Sequence, residues 1–96
     1  MEPVFESNLK DRMLKGSKTC FIRPIRLTPP GKRFEAFGVM FEVDKVEQLT
    51  LDEAFHNYYS KAGYESYEEL WEVWDSLHHG KYRPTWKCFV HWFRRI

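Results

Sequence analysis

Ninety-six residues with 43% hydrophobic and 18% aromatic content suffice for one packed core and are too few for two. No apolar run approaches the roughly 20 residues that cross a bilayer. The N-terminus also lacks the apolar stretch and small-residue cleavage site of a secretory leader, so a single cytoplasmic domain spanning 1–96, monomeric by default, is expected. A formal net charge of +1 by itself names no partner.

In chain order, Pro3 is placed to start a helix in which Phe5, Leu9 and Met13 share one face, with Gly16 as its C′ residue. Thr19, Cys20, Phe21 and Ile22 form a β-branched and aromatic run closed by Arg23 and Pro24, which predicts a short strand. Thr28, Pro29, Pro30 and Gly31 predict a loop, because two prolines remove donors and fix φ. Arg33 to Ala36 and Gly38 to Gln48 alternate as strands, with a slip near Asp44 and Lys45 that predicts a bulge and a curved sheet.

Thr50 and Glu53 make a capping box for a helix carrying Leu51, Ala54, Phe55, Tyr58, Tyr59 and Ala62 inward until Gly63. Ser66 and Glu69 repeat the device. There Tyr67, Leu70, Trp71, Trp74, Leu77 and His78 lie on one face and Glu68, Glu72 and Asp75 on the other, up to Gly80. From Thr85 to Ile96, Trp86, Cys88, Val90 and Trp92 point one way and Phe89, His91 and Phe93 the other, which predicts a strand covered on both faces. No internal repeat or linker divides the chain.

Charge is segregated along this order. From Lys10 to Arg33 eight basic residues meet only Asp11; from Glu42 to Asp75 the acids dominate; from Lys81 to Arg95 the chain is basic again. Cys20 and Cys88 form no CxxC pair or regular framework and read as buried free thiols. His56, His78, His79 and His91 make no metal-ligating pattern, so neither a metal nor a cofactor is expected. His91, set among aromatics on the final strand, reads as a hydrogen-bonded residue of the sheet or as a member of a cleft, the former being preferred.

At the junction of the first helix and first strand, LKGSKTCFIRP sets Gly16, Lys18 and Arg23 in a GxKxxxxR arrangement. The Pro-Gly turn leading into RFEAFGVMFEVDKVEQLT follows, then TLDEAFHNYYSKAGYESYEELWEVW and a final aromatic strand ending VHWFRR. In order and spacing nearly the whole chain resembles the ASCH domain family of the PUA-like superfamily. The resemblance implies an α+β fold, a small PUA-like β-barrel with packed helices, and a basic cleft lined by the motif's charged residues. Family members are mostly regarded as RNA-binding or RNA-linked.

On this resemblance the chain is expected to bind RNA or a nucleotide. Lys18 and Arg23 would hold phosphate or a base edge, Arg26 and Arg33 would stand at the rim of the proline loop, and Tyr82 and Trp86 would be near enough to stack. Gly16 is expected to serve the backbone only. Trp71 and Trp74 belong to the core stripe, and the acids Glu68, Glu69, Glu72 and Asp75 to a solvated face.

Two other readings stand behind this one. Some small members of the family are amidohydrolases that release acetate from acetylcytidine, using a Lys in the GxK position, a Thr three residues on and a glutamate by the paired helices. Lys18 fits and would be the catalytic residue, but the Thr position holds Phe21, and the glutamate position falls at Ala62 or Gly63 with Glu65 the nearest acid after it. A protein-interaction domain would instead present an exposed aromatic patch.

Overall fold

The computed structural model describes residues 5–96; the expected helix start at Pro3 lies outside them. Thirty-four by 24 by 22 Å in extent, the domain is α+β: a curled half-barrel sheet of four antiparallel strands with three helices packed on it. The strands are β1 (Cys20–Arg23), β2 (Arg33–Ala36), β3 (Val39–Thr50) and β4 (Lys87–Arg95), in the order β1-β4-β3-β2. Among the described residues β1 and β2 are therefore the two edges. None of the helices among them is long and apolar enough to cross a membrane.

The predicted curl has a visible origin. Along the β3–β4 ladder, Val43 pairs with Phe93 but Lys45 with Trp92, so Asp44 is the extra residue of a bulge. An inserted residue bends its strand and sharpens the local twist.

Strand β4 runs through the middle of the sheet and is covered on both faces, as its pattern predicts. On one face Cys88 and Val90 join Cys20, Ile22 and the apolar stripes of α2 (Leu51–Tyr58) and α3 (Tyr67–His78), among them Leu51, Phe55, Leu70 and Trp74. On the other, Phe93 joins Phe21, Phe34, Phe41 and Val43, and Met13 of α1 (Lys10–Leu14) closes that aromatic cluster. Phe34 and Phe93 meet edge to face at 5.6 Å, as do Phe41 and Phe93 at 5.3 Å; these are the arrangements that ring quadrupoles favour.

Local signals set the helix ends. The Thr50 hydroxyl accepts from the Glu53 N–H while the Glu53 carboxylate accepts from the Thr50 N–H, closing the capping box. At α3 only half the device forms: Ser66 accepts from the Glu69 N–H, but the Glu69 carboxylate reaches the N–H of Glu65 instead.

Three expectations change. The first helix is shorter than its apolar spacing suggests, because Glu6 is extended (φ −69°, ψ 146°) and a single 3-10 turn, Ser7–Leu9, precedes α1. Phe5 consequently leaves the helical stripe and packs on Phe21 and Phe34. Helix α2 stops at Tyr58, and residues 59–63 unwind into turns. Leu77, expected inward, is 58% exposed.

Candidate functional site

Strand β1 brings the two motif cations to one place. The Thr19 carbonyl accepts from the Phe93 N–H, so the ladder turns the backbone groups of Cys20 and Ile22 the other way, to the free edge of the sheet. There the Cys20 carbonyl accepts from Lys18 Nζ at 2.7 Å and the Ile22 carbonyl from Arg23 Nη1 at 2.9 Å. An orphan edge carbonyl anchors each side chain, and the two cations stand along one edge.

Lys18 is held from a second side by the unwound end of α2. Carbonyls beyond a helix C-terminus lack intrahelical partners and carry the negative end of its dipole. The Lys61 carbonyl accepts from the Thr19 and Cys20 N–H groups, and the Ala62 carbonyl accepts from Lys18 Nζ at 2.6 Å. Gly63 makes the approach possible. It sits at φ +100°, and a Cβ built on it would lie 3.1 Å from a Leu9 methyl and 3.4 Å from Lys18 Cδ. The lysine stem therefore packs against bare backbone, and Lys18 is only 3% exposed.

This edge forms the wall of a pocket of about 310 Å³. Its floor and sides are largely apolar, supplied by Phe5, Leu9, Ile22, Ala62, Leu70, Val73, Trp74 and Leu77; its polar groups are Glu6, Lys18, Arg23, Tyr64 and His78. That size and lining, apolar walls with a few convergent polar groups, are those of a small-molecule site. Phe5 lies beneath both cations, its centroid 5.7 Å from Lys18 Nζ and 5.6 Å from Arg23 Cζ. Arg23 also lies 5.1 Å from the Phe21 ring centroid.

Burial governs the electrostatics. It lowers the Lys18 pKa to about 7, opposed by Cys20 and reinforced by Arg23. It lowers that of Arg23 as well, with Tyr64 pulling the other way. It raises the Tyr64 phenol, with Glu6 adding to the rise, and lowers His78, with Arg23 adding to the fall. Cys20 is pushed up to about 12, and so is Cys88; both are free and buried. Lys18 is thus the pocket's amine poised near neutrality.

The other candidate residues lie elsewhere. Arg26 is exposed on the loop after β1 and lines no part of this pocket. Arg33 is exposed on β2, the opposite edge of the sheet, and pairs with Glu42 at 3.3 Å. Tyr82 meets Trp74 and His78 edge to face and so stands one ring behind the pocket wall; Trp86, 43% exposed, packs on Tyr82. Glu65, the acid nearest the expected glutamate position, is tied to Arg12 outside the pocket, and Phe21 is fully buried in the aromatic cluster. The pocket's own acid is Glu6, which sequence reasoning passed over inside an expected helix. Tyr64 and His78 were also missed, because their approach depends on how the turn after Gly63 and the end of α3 pack. Among the described residues no group of three His, Cys, Asp or Glu side chains is placed to hold a metal.

No family model matches the chain, and no curated protein matches it by sequence. A search of solved structures finds the crystal structure of hypothetical protein PH0355, similar with a TM-score of 0.75 over 96% of this chain and 94% of that one, at 16% identity. At that identity the likeness speaks for the fold alone. The chain thus shares with that protein a small α+β architecture built on a curled antiparallel sheet.

Proposed function

We propose that this is an ASCH-like domain of PUA-like type that binds RNA or a nucleotide through one nucleoside-sized unit in the β1 pocket. The observation that carries the reading is the convergence of Lys18 and Arg23 on the wall of one apolar pocket of about 310 Å³. A guanidinium supplies a planar fork for phosphate or a base edge, an amine supplies a point charge, and apolar and aromatic walls accept a flat ring. Dimensions favour a single extruded unit over a groove that tracks a strand, so any RNA would be read one nucleotide at a time. Arg26, Arg33, Tyr82 and Trp86 are left out of the contact set.

Calorimetric titration with cytidine monophosphate and with a short single-stranded RNA tests this. Lys18→Met and Arg23→Met should each weaken binding about tenfold or more, and should flatten its dependence on salt if the group meets phosphate. Equal affinity in wild type and both variants would dismiss the pocket as the binding site.

The second reading is the amidohydrolase, and the lowered pKa of Lys18 in a pocket that Glu6 also lines is what favours it. An amine near neutral pKa can move a proton, and a carboxylate can share it. The hydroxyl of the family pattern is replaced by Phe21, which is locked in the core, so this chemistry would rest on Lys18 and Glu6 alone. Incubation with acetylcytidine decides it: cytidine and acetate released by wild type but not by Lys18→Met would promote the enzyme over the binding module.

A further inference from the structure

We infer that an anion entering the β1 pocket is bound together with one proton, taken up by Lys18. The inference rests on the pocket reading above and concerns how that site is regulated.

A neutral primary amine has two N–H donors and one lone pair, whereas an ammonium has three donors and no lone pair. Lys18 Nζ has two carbonyl acceptors, of Cys20 and Ala62. These two satisfy every N–H of the neutral amine and leave the lone pair for the remaining tetrahedral position. Protonation would put a third N–H there, and a full charge into a site that is 3% exposed and already shared with Arg23. Among the described residues Nζ has no third hydrogen-bond acceptor, and the Phe5 ring centroid lies 5.7 Å from it. An anion with oxygen acceptors supplies an acceptor for the third N–H and brings negative charge to it. A phosphate monoester and a carboxylate share that chemistry.

The neighbouring titratable groups leave this proton to Lys18. Cys20, two residues on at the start of β1, is pushed up to about 12 and stays a thiol. Tyr64, from the turn after α2, is raised and stays a phenol; His78, at the end of α3, is lowered and stays neutral. Arg23 keeps its charge throughout, and Glu6 stands at the mouth with its carboxylate acting on Tyr64. The lowering of Lys18 to about 7 agrees with the count of donors and acceptors.

The test uses the unaltered protein labelled with ¹³C and ¹⁵N in its lysines. The Lys18 side-chain resonances are followed from about pH 6 to about pH 10 without and with saturating cytidine monophosphate, Lys18→Arg serving to assign them. The expected result is a midpoint near neutrality in the free protein and an upward move of about one unit or more with the probe. Affinity should fall about tenfold per pH unit between the two midpoints. A free-protein midpoint near the ordinary lysine value of about 10.4 would overturn the inference. So would a midpoint that stays in place while the probe binds, and in that case the pocket reading survives. No binding of the probe at any pH removes both.

Discussion

Two basic side chains are sealed inside this domain, and they are put to opposite uses. Lys18 is 3% exposed and donates to two carbonyls, of Cys20 at the free edge of β1 and of Ala62 after α2; His91 is fully buried and accepts, its Nε2 taking the N–H groups of Leu27 at 3.1 Å and Thr28 at 3.4 Å. The His91 ring also stacks on Phe21 with centroids 4.5 Å apart. His91 thereby pins the loop after β1 onto the sheet, and it lines no part of the β1 pocket. Lys18 lines that pocket and keeps one tetrahedral position beyond its two carbonyls. Burial alone therefore does not identify a functional group, and neither does an unpartnered atom, since His91 Nδ1 has no partner in the core; what matters is whether the group is directed at a cavity.

The largest effect that can break this contrast is on stability. His91→Ala removes a packed ring and strands two buried amides, and should cost about 3–5 kcal/mol in urea unfolding while leaving any ligand affinity of the folded protein near wild type. Lys18→Met should show the other balance: about 1–2 kcal/mol of stability lost through the two stranded carbonyls, and binding weakened about tenfold or more. If the His91 variant lost binding in the folded state, the division between the two residues would be wrong.

Gly63→Ala sharpens the contrast on the lysine side. A methyl at φ +100° presses on Leu9 and Lys18 Cδ, and should cost about 1–3 kcal/mol while shifting Lys18 enough to weaken binding. Binding unchanged in a destabilised Gly63→Ala protein would show that Lys18's placement tolerates a crowded stem.

The pH dependences of stability also separate the pair. His91 has a folded pKa below its ordinary 6.5, with burial as the main cause. The unfolded chain therefore binds the proton first, and the contribution of His91 is present above pH 6.5 and falls away as pH drops below it. For Lys18, lowered from 10.5 to about 7, the same sign places the window higher: its contribution is complete above pH 10.5 and is lost as pH falls to about 7. Hence the stability of wild type relative to Lys18→Met should rise between those values, and relative to His91→Phe it should fall only on the acid side. Urea midpoints across that range, flat for either difference, would contradict the corresponding burial.

The smallest effect is expected at Arg33. Its exposed pair with Glu42, an acid that Arg94 also engages, should contribute no more than about 0.5 kcal/mol, and Arg33→Ala should leave ligand affinity unchanged.

Much of the scaffold was legible because its signals are local. The capping box at Thr50 and Glu53 spans three residues, the alternation of β4 names both core clusters, and the slip at Asp44 announces the bulge. His91 was readable as a hydrogen-bonded residue from its aromatic surroundings. The pocket was half legible. Lys18 and Arg23 flank one short strand and were visible as a motif, but Lys18's second acceptor comes from Ala62, 44 residues away, and Gly63 looked like a helix stop when it also makes room for the lysine stem. Glu6 was hidden because an apolar spacing of four continued through Phe5, Leu9 and Met13 even though the backbone is extended at Glu6. Arg26, Arg33 and Trp86 fitted a basic or aromatic rim in sequence, yet loop path and strand order carry them away from the pocket.

Amide chemical-shift mapping during addition of cytidine monophosphate to ¹⁵N-labelled protein tests the central claim most directly. The account predicts perturbations concentrated at Lys18, Ile22, Arg23, Tyr64 and His78, with the Arg33 and Trp86 amides still. Perturbations centred on β2 or on the Trp86 segment, with the β1 edge unmoved, would contradict it.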